Sequence, residues 1–188
     1  YIILDDPRIR EVLADLLTGK GMIMVTGHYG NFEILARAFT AFGLESYNVA
    51  RPLDNPYINH YVYDVLHRGQ HIIYKKGATD AMQHVLNEGA TLGIVADQNA
   101  GHKDIFVPFF GRLASTYKSV GLLAMTYNVP ICVGCARRVG DRFRFELVIS
   151  RIIRPAEWLD QPDPLRWVTA EYTRAIEAFV RADPEQYW

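Results

Sequence analysis

Short apolar runs alternate with stretches of helical periodicity along most of this chain, and that alternation constrains the fold more than any single residue. Met22-Ile23-Met24-Val25, Ser46-Tyr47-Asn48-Val49-Ala50, His71-Ile72-Ile73-Tyr74 and Thr91-Leu92-Gly93-Ile94-Val95-Ala96 each have the length and content of a strand. Between them lie helical patterns: Ile34, Leu35, Ala38, Phe39 and Phe42 closed by Gly43, a segment from Pro56 through about Arg68, and Ala81, Met82, Val85 and Leu86. A preceding helix carries Ile9, Val12, Leu13, Leu16 and Leu17 on one face and stops at Gly19-Lys20-Gly21. Strands separated by helices imply βαβ units and a single α/β domain over residues 1–188, with a largely parallel sheet covered on both faces. Ligands of such sheets bind at the carboxyl ends of the strands. The loops after Val25, Ala50 and Ala96 should therefore open onto one cleft.

The second half departs from strict alternation. A long Gly- and Phe-containing segment spans 99–114, and a helix apolar nearly all round is expected over Thr116–Tyr127. Ile131–Ala136 reads as a strand. Phe143, Phe145, Leu147 and Ile149 alternate with polar residues, predicting a half-exposed partner joined through Val139-Gly140-Asp141 as an antiparallel edge. Residues 155–164 read as irregular, and Leu165, Val168, Tyr172, Ile176 and Phe179 mark a final amphipathic helix.

The net charge of −1 gives no global basic field, so nucleic acid is not an expected partner. Arginine outnumbers lysine, 15 to 5, a skew suited to phosphate and carboxylate recognition. No apolar run approaches the roughly 20 residues needed to cross a bilayer. Cys132 and Cys135 sit three apart on a strand and so point to opposite faces; two buried apolar thiols are expected rather than a metal or redox pair. His60, His67, His71, His84 and His102 fit no ligand spacing, and neither a metal nor a cofactor is expected.

The chemistry concentrates in Gly27-His28-Tyr29-Gly30-Asn31-Phe32-Glu33. Asn31 reads as a helix N-cap, which puts His28 in a strand-to-helix loop and Glu33 in the first helical turn. On one helix, residues five apart diverge by roughly 140° at about 3.6 residues per turn. With His28 in the loop, the chain can fold back so that Glu33 reaches the imidazole. A carboxylate on one ring nitrogen fixes the tautomer and leaves the other free to take a proton. That is the base half of a Ser-His-Asp arrangement, with the substrate's own hydroxyl in the nucleophile's place. Gly27 and Gly30 fit either close substrate approach or the turn itself. Arg51, fixed by Pro52 at a strand end, suits a phosphate or a polarised carbonyl. Asp97 is placed to orient Arg51 or a loop N–H, or simply to form a turn. Arg137-Arg138 and Lys75-Lys76 add positive charge near strand ends.

His-x4-Glu in this setting resembles the signature of the late acyltransferases of lipid A biosynthesis, the lauroyl/myristoyl transferases within the wider His-x4-Asp/Glu glycerolipid acyltransferases. Arg51-Pro52-Leu53-Asp54-Asn55-Pro56, Asp97-Gln98 followed by Phe106-Val107-Pro108-Phe109-Phe110-Gly111, Ala114-Ser115-Thr116, and Pro184-Glu185-Gln186-Tyr187-Trp188 resemble further motifs of that family in the same order. The resemblance covers about residues 22 to 188. It implies acyl transfer from acyl carrier protein or acyl-CoA to a hydroxyl of a lipid A precursor or related glycolipid, at the cytoplasmic face of the inner membrane. His28 and Glu33 would be catalytic. Asn31, Arg51, Asp97, Gln98, Phe109, Phe110 and Arg137 would bind substrate, and Pro184–Trp188 would serve packing. It also implies a membrane-anchoring segment that these residues do not include. Phe32 stands where the family commonly has Trp. Phosphatidylinositol mannosides as acceptor, thioester hydrolysis, and a non-catalytic lipid- or carrier-binding module are the other functions such a chain admits.

Overall fold

The computed structural model describes residues 1–66, 70–74 and 78–188. Lys75-Lys76, His67 and the predicted helix end at Arg68 lie outside them. In chain order the elements are β1 (Ile2–Ile3), α1 (Arg8–Leu17), β2 (Met22–Thr26), α2 (Phe32–Ala41), β3 (Ser46–Ala50) and α3 (Pro56–Asn59). The last runs on as a π-helical stretch, His60–Leu66. Then come β4 (His71–Tyr74), α4 (Ala78–Asn87), β5 (Thr91–Val95), β6 (Ile105–Phe109), β7 (Arg112–Thr116), α5 (Ser119–Tyr127), β8 (Ile131–Arg138), β9 (Phe145–Ile153), α6 (Pro155–Trp158) and α7 (Pro164–Ala182), with a 3-10 turn at Pro184–Gln186.

Seven strands form one sheet in the order β1-β9-β8-β2-β5-β3-β4. Every pairing is parallel except β8 with β9. The alternation of side chains along β2 splits the core in two. Ile23 and Val25 join Leu92, Ile131, Val133 and the buried faces of α4, α5 and α7, whereas Met22 and Met24 join α1 and α2 on the other side. Cys135 belongs to the first core and Cys132 to the second, so the two thiols are separated by the sheet. Burial pushes the Cys135 thiol up to about 12 and raises that of Cys132 as well, as expected of apolar thiols rather than ligands.

Segment 99–114, left unassigned by sequence, contains most of a two-stranded antiparallel hairpin, β6-β7, outside the main sheet. Thr116 closes β7, so the helix expected from Thr116 begins instead at Ser119, with the Lys118 amide held by Asp104 Oδ1 at 3.2 Å. The hairpin turns at Phe110 and Gly111, both at positive φ (50° and 76°), a pair that matches the twist of the flanking strands. Phe110 is an unusual residue for that conformation. Its amide donates to Glu177 Oε2 at 2.7 Å and its ring lies 4.7 Å beneath the Arg181 guanidinium, so α7 clamps the turn. The Phe110 amide, together with Arg181 and against the opposing effect of burial, holds the Glu177 carboxyl below its usual range.

The β8-β9 hairpin is not the sheet edge. β1 adds beside β9, and β9 itself starts at Phe145 rather than Phe143. Four residues of the stretch read as irregular, Pro155–Trp158, form α6 with Trp158 buried.

Asp6 ties α1 to β9. Its carboxylate accepts from the Arg8 amide and guanidinium and, through Oδ2, from the Ile149 amide at 2.9 Å. Burial pushes its carboxyl up, but those bonds outweigh it and hold the group below its usual value. A carboxyl depressed in the fold stabilises above its unfolded pKa, and that contribution is lost as pH falls through the folded one. Asp6→Asn should therefore cost about 1–3 kcal/mol near pH 7. The gap to wild type should close below about pH 4, as read by urea denaturation across pH.

Candidate active site

β2, β5 and β3 are adjacent and parallel, so their carboxyl ends and following loops share one edge, as the alternation predicted. β8 also runs parallel to β2 and continues past it. Its Ala136 carbonyl accepts from the Asn31 amide at 2.9 Å, pinning the loop between β2 and α2. Asn31 Oδ1 in turn accepts from the Ile34 amide at 3.0 Å and caps α2. The two glycines of this loop make room for neighbouring protein atoms. Gly30 has φ +56°, and a Cβ there would stand 2.2 Å from the Ala136 oxygen; a Cβ on Gly27 would stand 3.1 Å from Asp97 Oδ2.

Asp97, just past β5, fills that space and takes hold of His28 twice. Oδ2 accepts from the His28 amide at 2.7 Å and Oδ1 lies 2.7 Å from Nδ1. The Asp97 side chain is 3% exposed and that of His28 30%, so the pair is anchored in the protein and open on the imidazole side. A carboxylate only accepts, so this bond calls for a ring hydrogen on Nδ1, and a neutral imidazole then carries its lone pair on Nε2. Glu33 was expected to hold the imidazole; the nitrogen in question belongs to Asp97. The reason is directional: His28 turns toward the end of β5, while the first turn of α2 carries Glu33 outward, exposed, where its charge acts on the Tyr63 hydroxyl. Of the roles open to Asp97, the structure shows it orienting a loop N–H together with the imidazole.

Around this pair lies an aromatic rim. Phe32 meets the His28 ring edge-on at 5.3 Å and Trp188 stands against Phe32 at 6.3 Å. The Trp188 amide donates to the His28 carbonyl at 3.0 Å, and Gly30 donates to the Gln186 carbonyl at 2.9 Å. Tyr187 is the antiparallel bridge partner of Tyr29, and its ring packs against Phe109 at 6.4 Å between centroids. Sequence reasoning gave Pro184–Trp188 to packing alone; its place after the final helix carries no sign that it returns to the His28 loop.

A cavity of about 390 Å³ opens beside Asp97, lined by Gln98, Phe106, Phe109, Leu113 and Ile176 among others. Phe109 lines this cavity and also packs against the first core, whereas Phe110 sits at the hairpin turn under Arg181. Arg51 is 74% exposed and 3.8 Å from Asp54. Arg137 is ion-paired with Glu146 of β9, and Arg138 spends its guanidinium on the Asp141 carbonyl at 2.7 Å. Among the described residues, no group of three or more His, Cys, Asp or Glu stands where it would hold a metal ion, and no helix is long and apolar enough to cross a membrane.

Gly30→Ala meets both a disfavoured φ and a carbonyl in the way, whereas Gly19→Ala, at φ +68°, meets only the disfavoured φ. Gly19→Ala should cost about 1–2 kcal/mol and Gly30→Ala clearly more, with loss of any activity that depends on His28, as read by denaturation and turnover.

Among curated proteins, none matches the chain. Residues 9–188, however, match the profile of the family described as bacterial lipid A biosynthesis acyltransferase. That span takes in the His28 loop, the Asp97 turn, the β6-β7 hairpin and the segment that returns to His28. An imidazole held at Nδ1 by a buried carboxylate, beside a largely apolar cavity, is an arrangement in which general-base chemistry on a bound hydroxyl is feasible. The chain belongs to the bacterial lipid A biosynthesis acyltransferase family.

Proposed function

We propose that the protein moves a fatty acyl group from a thioester carried by acyl carrier protein to a hydroxyl of a lipid A precursor, with His28 as general base. The observation that carries this reading is the buried Asp97 carboxylate on Nδ1 of a part-exposed imidazole. Nε2 takes the proton of the acceptor hydroxyl as its oxygen attacks the thioester carbonyl. The tetrahedral oxyanion is met by amides in the first turn of α2. Its collapse breaks the C–S bond, and the leaving sulfur takes the proton back from the imidazolium, giving ester and free thiol. The imidazolium is stabilised throughout by Asp97.

The acyl chain lies in the cavity between Phe106, Phe109, Leu113 and Ile176, whose apolar lining suits hydrocarbon. Glu33 and Arg51, on the exposed side of the cleft, meet the polar acceptor, with Arg51 suited to phosphate. Leu113, 65% exposed, and Trp188, 82% exposed, border the cleft and favour work at a membrane surface, on the cytoplasmic face of the inner membrane.

Purified protein incubated with acyl carrier protein bearing mixed chains and a lipid A precursor should yield acceptor heavier by one acyl group, detected by mass spectrometry. Free fatty acid without acylated lipid would instead identify a thioesterase, and carrier binding without turnover a binding module. His28→Ala should lower turnover by about 10³-fold or more with the fold intact. Asp97→Asn should lower kcat by about 10²–10⁴-fold, since an amide does not enforce the same tautomer. Glu33→Gln should act mainly through the acceptor KM. Full activity in His28→Ala would remove the base from this scheme.

A further inference from the structure

The β6-β7 hairpin is apolar on both of its faces. Side chains alternate along a strand, and residues paired across two strands share a face. Val107 belongs to the inner face and is fully buried, and α7 packs against that strand. Phe106 and Pro108 belong to the outer face, where Pro108 stands opposite Leu113. All three are exposed, Leu113 to 65%, and the exposed Phe110 ring continues them at the turn. A ribbon packed on a core by one face ordinarily carries polar residues on the other. Phe106 and Leu113 also line the cavity beside Asp97, so the outer face is continuous with its wall.

The charges that the hairpin and α7 bring beside this face are sorted by sign. Lys103, just before β6, and Arg112, at the start of β7, are exposed. Asp104 is half-buried and accepts from the Lys118 amide at 3.2 Å. On α7 the Arg174 side chain is 72% exposed and its partner Glu171 13%, while Arg181 is 59% exposed and its partner Glu177 17%. Each pair therefore shows its cation to solvent and covers its acid. Glu177 is also the group that holds the hairpin turn through the Phe110 amide.

We propose that the β6-β7 hairpin docks the protein on an anionic lipid bilayer, its outer face entering the headgroup region and the flanking cations meeting lipid phosphates. This deepens the reading given above and rests on its lipid acceptor. An acidic protein would satisfy the cations alone; the apolar centre between them runs into a cavity suited to hydrocarbon. A bilayer satisfies both, because it takes the apolar side chains out of water and presents anionic headgroups at their rim. Docked in this way, the mouth of the cavity faces the membrane, and a lipid acceptor reaches the cleft without crossing water.

The test is sedimentation of the purified protein, without acyl donor, with vesicles of phosphatidylcholine alone or mixed with phosphatidylglycerol. The protein should sediment with the mixed vesicles, less so as salt is raised, and poorly with phosphatidylcholine alone. Leu113→Gln should weaken binding to the mixed vesicles about tenfold. Lys103→Glu combined with Arg112→Glu should weaken it about a hundredfold, and this charge variant carries the test if Leu113→Gln does not fold. Leu17→Gln, at a more exposed leucine on α1 across the sheet, should bind as the wild type does. In turnover, the charge variant should match the wild type on detergent-dispersed acceptor and fall behind it on acceptor held in the mixed vesicles. A wild type that ignores both kinds of vesicle, or variants at 103, 112 and 113 that bind them unchanged, would overturn the docking and leave acyl transfer standing. Weaker capture of acyl carrier protein by the charge variant, with vesicle binding unchanged, would overturn it in favour of an acidic protein partner. No transfer by the wild type on dispersed acceptor, beside the expected losses of vesicle binding, would refute the transfer and not the docking.

Discussion

The candidate site depends on one carboxylate. Asp97 accepts from the amide and the imidazole of the same residue, so the backbone and the side chain of His28 are fixed by a single group. That double hold requires β5 to end beside β2. The parallel register pairs Thr26 with Val95, and the Ala96 amide donates to the Thr26 carbonyl at 2.9 Å, extending the pairing to the residue before Asp97. The hold is eased by the glycine at position 27, where a Cβ would stand 3.1 Å from Asp97 Oδ2 and 3.3 Å from Ile176, so that one of them would have to give. Charged groups taken out of water are costly unless paired and hydrogen-bonded, and a carboxylate only 3% exposed meets that condition through His28.

The remaining architecture supplies rigidity around that contact. The two cores hold β2, β5 and β8 from both faces, so the loop between β2 and α2 hangs from a sheet that cannot shift locally. β8 reaches beyond β2 and fixes the loop through Ala136, and residues 186–188 after α7 fix it from the other side. The imidazole, its side chain 30% exposed, therefore stays partly open to solvent while its surroundings are tied down in three directions. The hairpin β6-β7, clamped to α7 at its turn, forms a wall of the cavity in which an acyl chain is proposed to lie.

Local patterns were legible in the sequence wherever physics acts over a few residues. The apolar run 22–25, the Asn31 cap and the start of α2 followed from periodicity and capping, and strand alternation placed Cys132 and Cys135 on opposite faces. The partner of His28 was not legible. Asp97 lies 69 residues away and arrives only because β5, fourth among the strands expected from the sequence, inserts between β2 and β3. Glu33 was the carboxylate near in sequence, yet the turn of α2 sends it elsewhere. Arg137 looked available because its ion-pair partner Glu146 depends on the register of β8 against β9. The β6-β7 hairpin was hidden by Pro108 and by a Phe-Gly turn where Asn-Gly would have announced one. Tyr187 carried no local sign of its destination at all.

The central claim is that Asp97 holds Nδ1 of His28 and leaves Nε2 bare. The most direct measurement is ¹⁵N NMR of the ring nitrogens with selectively labelled histidine, the His28 signals being those missing from His28→Ala. With the imidazole neutral, the account predicts a protonated Nδ1 in a strong hydrogen bond and an unprotonated Nε2, with that preference lost in Asp97→Asn. A His28 ring protonated on Nε2, or one indifferent to Asp97→Asn, would contradict it.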